Sequence, residues 1–307
     1  MEMLKLPHPI PYQGSKRNLA ENILRYFPED VNTLYEPFAG SAAITIAAAA
    51  AGLARKYYIN DLNKPLMDLW YRIINNPNEL SAQYEKLWRE QIINPKVYYI
   101  EMRDRFNKTG EPHLFLYLLA RCVKASVRYN SRGEFNQSAD NRRRGMKPET
   151  MKMQILGASY YLKNKTKIDS KNYRDILKLV KEKDLVYMDP PYQGVCGNRD
   201  TRYLGSVQYC EFIKALDELN HRKIRYIVSY DGRSGEKSYG KLLPDELNLT
   251  LIELDAGRSS QATLLGRKDI TIESLYLSAT LADELVHVPT LYRYTRGEQL
   301  CLMGGGI

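Results

Sequence analysis

The spacing of apolar residues changes its period twice along this chain. Residues 32–36 form a short β-like run, followed by the small-residue turn Pro37-Phe38-Ala39-Gly40-Ser41, an alanine-rich stretch at 42–53 and a second β-like run at 56–60 ending on Asp61. Alanine is the strongest helix former, so this order predicts strand, turn, helix, strand: the opening unit of a nucleotide-binding α/β sheet. From 65 to about 127 the apolar spacing is helical, punctuated by Pro77, Pro95 and Pro112, and from 129 to 150 the chain is polar with no clear period. The α/β texture resumes near Thr166. A helix is expected over 171–180, a buried strand over 185–188, a helix over 207–221, and strands over 224–229, 249–255 and 272–278. No internal repeat is visible, and the segment beyond 281, which contains Gly304-Gly305-Gly306, is expected to fray.

This pattern predicts a discontinuous α/β domain over 1–62 and 152–281, an inserted helical domain over 63–151 and a tail over 282–307. Charge adds a function to the insertion. The chain carries a formal +9, and the segment 121–147 holds eight basic residues (Arg121, Lys124, Arg128, Arg132, Arg142, Arg143, Arg144, Lys147) against Glu134 and Asp140. Most of the excess is thus concentrated in one segment, as an anionic partner requires. The four cysteines lie far apart with no CxxC spacing and the four histidines are scattered, so neither a metal site nor a disulfide framework is expected, and a reducing cytoplasm fits. Three prolines in the first 11 residues argue against a signal peptide, and the longest apolar run is too short for a bilayer, so no membrane role is expected.

The most specific chemistry sits at the end of the run 185–188, where Asp189-Pro190-Pro191-Tyr192 follows. Two prolines forbid continuation of the strand, so a carboxylate, backbone carbonyls and an aromatic face are presented together in one loop. Such a cluster can hold a planar base and accept hydrogen bonds from its amino group. The turn at Glu36 to Ser41 offers a second cluster. A small residue there lets a ligand approach the backbone, and the following helix presents unpaired N–H groups. Asp61, 21 positions after Gly40, stands at the tip of the next strand, where a carboxylate can take both hydroxyls of a ribose.

Taken together and in this order, the segments resemble the Dam-type DNA adenine-N6 methyltransferases over about residues 11–277. Pro11-Tyr12-Gln13-Gly14-Ser15-Lys16 is similar to the family's N-terminal cofactor motif, Glu36 to Ser41 to its Phe-x-Gly-x-Gly element, and Asn60-Asp61-Leu62-Asn63 to its ribose-binding acid. Arg128-Tyr129-Asn130-Ser131-Arg132-Gly133-Glu134-Phe135-Asn136 resembles part of its DNA-recognition region, and the segment from Tyr187 to Tyr192 its catalytic loop. One position departs: Ala42 stands where the second glycine is expected, and its methyl group is expected to weaken cofactor approach slightly.

The resemblance implies an α/β, Rossmann-like methyltransferase fold with a mostly parallel seven-stranded sheet and an inserted helical DNA-recognition domain. It implies S-adenosylmethionine as cofactor, held by Tyr12, Gln13, Gly14, Lys16, Glu36, Phe38, Gly40, Asp61, Leu62 and Asp189. It implies catalysis by Asp189, Pro190, Pro191 and Tyr192, with Tyr192 stacking on an extruded adenine. Double-stranded DNA would be bound by Arg128, Asn130, Arg132, Arg142, Arg143, Arg144 and Lys147, with Tyr203 as a second aromatic wall in a loop closing over the site. A cognate restriction endonuclease is a candidate functional partner without forming a stable complex, and a cytoplasmic bacterial, archaeal or phage setting is expected. Rival readings keep the enzyme class but change the acceptor to cytosine N4, an RNA adenine or a protein amide, or reduce the chain to a DNA-binding module on a relic fold.

Overall fold

Helix starts and strand ends account for most of this architecture. The computed structural model describes residues 6–191, 207–234, 237–239, 242–258 and 270–286. After a short helix α1 (Ala20–Leu24), strand β1 (Val31–Glu36) leads through the glycine turn into α2 (Ala43–Ala51) and then β2 (Ala54–Asn60). Gly52 ends α2 in the left-handed region at φ 69°, its N–H donating to the Ala48 and Ala49 carbonyls; a glycine adopts that conformation without the Cβ penalty.

The four helices that follow each contain proline in the first turn: α3 (Lys64–Asn75), α4 (Pro77–Glu90), α5 (Pro95–Thr109) and α6 (Pro112–Arg121). Proline lacks the N–H that a first turn leaves unpaired anyway, and its fixed φ suits the helix. The prolines that punctuate the sequence therefore begin helices. Asn63 and Asn94 complete two of these starts by accepting from Leu66 N and Val97 N, both at 3.3 Å. A further helix, α7 (Pro148–Leu162), was not expected from the sequence; it packs on α3 and α4, and the boundary expected after 151 falls within it.

The sheet resumes with β3 (Thr166–Asp169), followed by α8 (Tyr173–Leu177), β4 (Leu185–Met188), α9 (Tyr209–His221), β5 (Arg225–Ser234), the short β6 (Lys237–Tyr239), β7 (Thr250–Arg258), β8 (Ile270–Leu277) and α10 (Ala279–Val286). The main path runs β3-β2-β1-β4-β5-β8-β7, with β6 paired to β5. The first five strands are mutually parallel, and β8 runs antiparallel to both its neighbours. This is a Rossmann-like, mostly parallel seven-strand path.

Alternation along β4 divides the apolar interior in two. Leu185 and Tyr187 join one cluster with α1 to α7, whereas Val186 and Met188 join the other with α8 and α9. Both faces of the strand are covered, which explains its unbroken apolar run. The helical insertion shares the first cluster with the sheet through Leu66, Trp70, Phe115 and Ile155. β1 pairs with β2 on one side and β4 on the other. That reversal of strand order opens a crevice at the carboxyl ends of the strands. Among the described residues, no helix is long and apolar enough to cross a membrane, and no group of three or more His, Cys, Asp or Glu is placed to hold a metal ion.

Candidate active site

A cleft of about 410 Å³ lies at that crevice, within the size range of small-ligand sites. Its wall contains Tyr12, Gln13, Gly14, Lys16, Glu36, Phe38, Gly40, Asp61, Leu62, Asp189, Pro190 and Pro191. Separate chain segments thus converge on one space. Tyr192 and Tyr203 lie outside the described residues.

Hydrogen bonds fix the acids before any ligand arrives. Asp61 accepts from Gly40 N at 3.1 Å with one oxygen and from Asn63 N at 2.9 Å with the other. Burial raises its pKa, and those two N–H bonds pull the other way. Glu36, 3 % exposed, accepts from Thr45 N at 3.1 Å and from the Thr45 hydroxyl. Burial pushes its carboxyl up to about 8; the Thr45 bonds pull it down, and the nearby charges of Asp189 and Asp61 push it up further.

Gly40 itself has φ 48°, and a Cβ there would stand 3.0 Å from the Tyr12 ring. The turn therefore needs glycine both for its backbone and for the ring lying against it. Trp70 Nε1 donates to the Gly40 carbonyl at 3.0 Å, pinning the turn from the insertion side. Ala42 behaves differently from expectation. It is left-handed (φ 47°, ψ 37°), fully buried in the core and absent from the cleft wall. Its methyl group does not line the cleft, and the departure from glycine places a Cβ in a left-handed backbone conformation.

Lys16 is 9 % exposed, with Nζ 3.1 Å from Asp189 Oδ1 and 2.8 Å from Glu273 Oε1. Its ammonium thus faces the carboxylate of the catalytic-type loop. Opposite, the Phe38 ring packs 5.1 Å from Tyr173 and 6.5 Å from Phe212, forming an aromatic wall. The Tyr173 hydroxyl is buried there without a hydrogen-bond partner among the described residues.

A model of the D12 class N6 adenine-specific DNA methyltransferases matches residues 12–259, a span that contains every element of this cleft wall. The chain belongs to that family. Curated relatives include a type II methyltransferase, M1.LlaDCHI, of Lactococcus lactis subsp. cremoris, 29 % identical over 59 % of this chain and 64 % of the relative. The DNA adenine methylase of Serratia marcescens is 27 % identical over 60 % of this chain and 66 % of its own length. The chain spans just under two thirds of the length of these two relatives. Among solved structures, the rRNA methyltransferase aviRa from Streptomyces viridochromogenes aligns over 91 % of this chain and 90 % of its own, at 16 % identity and a TM-score of 0.40.

In this D12-class chain, the described residues expected to meet DNA do not line the cleft. Tyr129 and Phe135 form an isolated antiparallel bridge. Asn130 closes the turn between them: its side-chain oxygen accepts from Arg132 N at 2.9 Å and Glu134 N at 3.0 Å, and its Nδ2 donates to Glu134 at 2.7 Å. Its amide is thus engaged within the turn. Arg132 pairs with Glu134 at 3.0 Å, while the exposed Arg128 guanidinium forms no ion pair among the described residues. Arg142, Arg143 and Arg144 are exposed, Arg143 by 83 %, and Lys147 follows them at the start of α7. Arg121 is not part of this surface. It is 2 % exposed and donates to the Asp140 carbonyl at 3.1 Å, so its charge braces the loop from inside.

Three parts of the site went unread in the sequence. The loop from Lys171 to Arg174 forms a wall because buried Asn60 clasps it, donating to Lys171 O at 2.9 Å and accepting from Lys171 N at 2.8 Å. Its position after a parallel strand was the available signal. Tyr129 lines the cleft and donates to Asn63 Oδ1 at 3.0 Å, tying the basic segment to the cap of α3. Glu273 comes from β8, where its signal was a lone acid inside an apolar strand.

Proposed function

We propose that this chain methylates N6 of an adenine flipped out of duplex DNA, with S-adenosylmethionine as donor. The observation that carries the reading is Asp189, set directly after a buried parallel strand and facing a cleft ringed by Glu36 and Asp61. The cofactor fits that donor set. The carboxylates of Asp61 and Asp189 complement a cationic ligand, the Phe38–Tyr173 wall suits a planar base, and the volume suits a nucleoside-sized molecule. Asp61 spends two acceptor sites on backbone N–H groups; a carboxylate has about four, so ribose hydroxyls can take the others.

When bound, S-adenosylmethionine supplies an electrophilic methyl group on a sulfonium sulfur. The residues act on the adenine. Its amino lone pair is delocalised into the ring, which makes the nitrogen a poor nucleophile. Asp189 and the Pro190 carbonyl accept its two N–H groups and favour the pyramidal, nucleophilic form. Pro190 and Pro191 have no N–H of their own, so the loop presents acceptors without competing backbone donors. Asp189 also faces the nitrogen on which positive charge develops, and stabilises it.

Extruding the base costs a few kcal/mol, which stacking on Tyr192 would partly offset. Arg142, Arg143, Arg144 and Lys147 would hold phosphates, and Arg128 and Arg132 would approach the bases. Relatives named as a type II methyltransferase and a modification methylase support a cognate endonuclease as functional partner.

Asp189→Ala tests the mechanism. Single-turnover methylation at saturating cofactor should fall by at least ~10²–10³, with DNA binding and thermal stability retained. A variant that methylates at near the wild-type rate would remove Asp189 from the chemistry.

A further inference from the structure

Lys16 stands between two carboxylates, and only one of them belongs to the catalytic loop. Its partner Glu273 lies on β8, the antiparallel strand inserted between β5 and β7. Glu273 is 8 % exposed and is itself fastened: Ser229 on β5 donates to the same Oε1 at 2.7 Å. Between Ser229 and Gly232 the β5–β8 register shifts, so Glu273 pairs opposite Gly232 rather than continuing the register of Ser229. Such a bulge bends a strand and re-aims its side chains. A buried carboxylate is costly unless paired and hydrogen-bonded. Here the fold supplies both a hydroxyl and an ammonium to keep one at this position.

We infer that Glu273 is a positioning residue for methyl transfer, acting through Lys16 to set the orientation and the charge of Asp189. Resting on the methyltransferase reading above, this adds a group from β8, two strands from β4, to the reaction. A lysine paired with Asp189 alone would spend its charge on the carboxylate that has to polarise the amino group. Glu273 divides that charge and anchors the ammonium, so Asp189 is held at Oδ1 without being neutralised. Glu36 at the end of β1, Asp61 after β2 and Glu211 on α9 line the same cleft as Asp189, and the charges of Asp189 and Asp61 both bear on Glu36.

The test compares Glu273→Gln, Lys16→Met and the double variant with wild type. Coupling within one salt-bridge network typically corresponds to ~2–150-fold, so Glu273→Gln should lower kcat by ~10-fold, with cofactor affinity and KM for DNA within about two-fold. In the Lys16→Met background the same change should have almost no further effect, because the pathway through the lysine is already cut. The cofactor-free protein gives an independent readout. The Asp189 carboxyl, followed by carbon NMR, should titrate at lower pH in Glu273→Gln, where Lys16 is no longer shared.

If Glu273→Gln fails to fold, Ser229→Ala loosens Glu273 without touching Lys16 and should move kcat in the same direction by less. Unchanged kcat in a folded variant, or fully additive losses in the double variant, would overturn the inference while wild-type methylation of adenine kept the enzyme reading intact. Absence of adenine methylation by wild type would instead overturn that reading.

Discussion

In the cleft, every acid is held by something: Asp61 by two backbone N–H groups, Glu36 by Thr45, Asp189 by Lys16 and Glu211 by Arg174. On the basic segment the reverse holds. Arg142, Arg143 and Arg144 are exposed, and the closest contact of their guanidinium groups with a carboxylate, within the described residues, is Arg143 to Asp140 at 3.8 Å. The contrast follows from what each region meets. A transition state gains most from groups already oriented before reaction, whereas a phosphate backbone rewards charge that is unspent and free to adjust. Arg121 and Asn130 mark the border, since both lie within the basic segment yet are consumed in bracing it.

Glu36 offers the largest test of the pre-set side of this comparison. Its folded pKa of about 8 exceeds the ordinary carboxyl value of 4.5. Between those values the unfolded chain releases a proton that the folded chain retains, so stability falls as pH rises through this window and is flat above it. Glu36→Gln should abolish that slope and raise stability above pH 8 by several kcal/mol, since each pH unit between the two values is worth ~1.4 kcal/mol. Urea denaturation from pH 5 to 9 measures it; an unchanged slope would show that Glu36 is ionised throughout.

Next in size is the basic segment. Replacing Arg142, Arg143 and Arg144 with alanine should reduce the salt dependence of DNA binding by up to about three units of log K per log salt. Stability and cofactor affinity should stay the same. A wild-type slope would mean these side chains never leave the solvent.

The smallest effect concerns Ala42. A left-handed alanine costs roughly 1–2 kcal/mol, but its buried methyl recovers about 0.8 kcal/mol. Ala42→Gly should therefore stabilise the protein by no more than about 1 kcal/mol and leave cofactor affinity unchanged, as calorimetry can check. A clear gain in affinity would restore the expectation that the methyl group faces the cofactor.

Local patterns made much of this structure legible. The alanine run of α2, the apolar run of β4 and the acids at strand ends follow from propensity and period, and their positions locate the cleft. What stayed hidden depends on distant partners. The burial of Arg121 is decided by packing between segments, which a charge count does not register, and the Asn130 amide is taken up by its own turn where the resemblance implied contact with DNA. Glu273 reaches Lys16 from the far end of the sequence only because β8 is threaded between β5 and β7. The helix α7 begins at Pro148, immediately after a polar stretch without period, and the low contrast of its sequence concealed it.

Mapping N6-methyladenine by single-molecule sequencing, after incubating the purified chain with unmethylated genomic DNA and S-adenosylmethionine, addresses the central claim most directly. The account predicts N6-methyladenine confined to one short sequence motif, and none when Asp189 is alanine. Cofactor binding without any modified adenine, or label found in cytosine, RNA or protein instead, would contradict it.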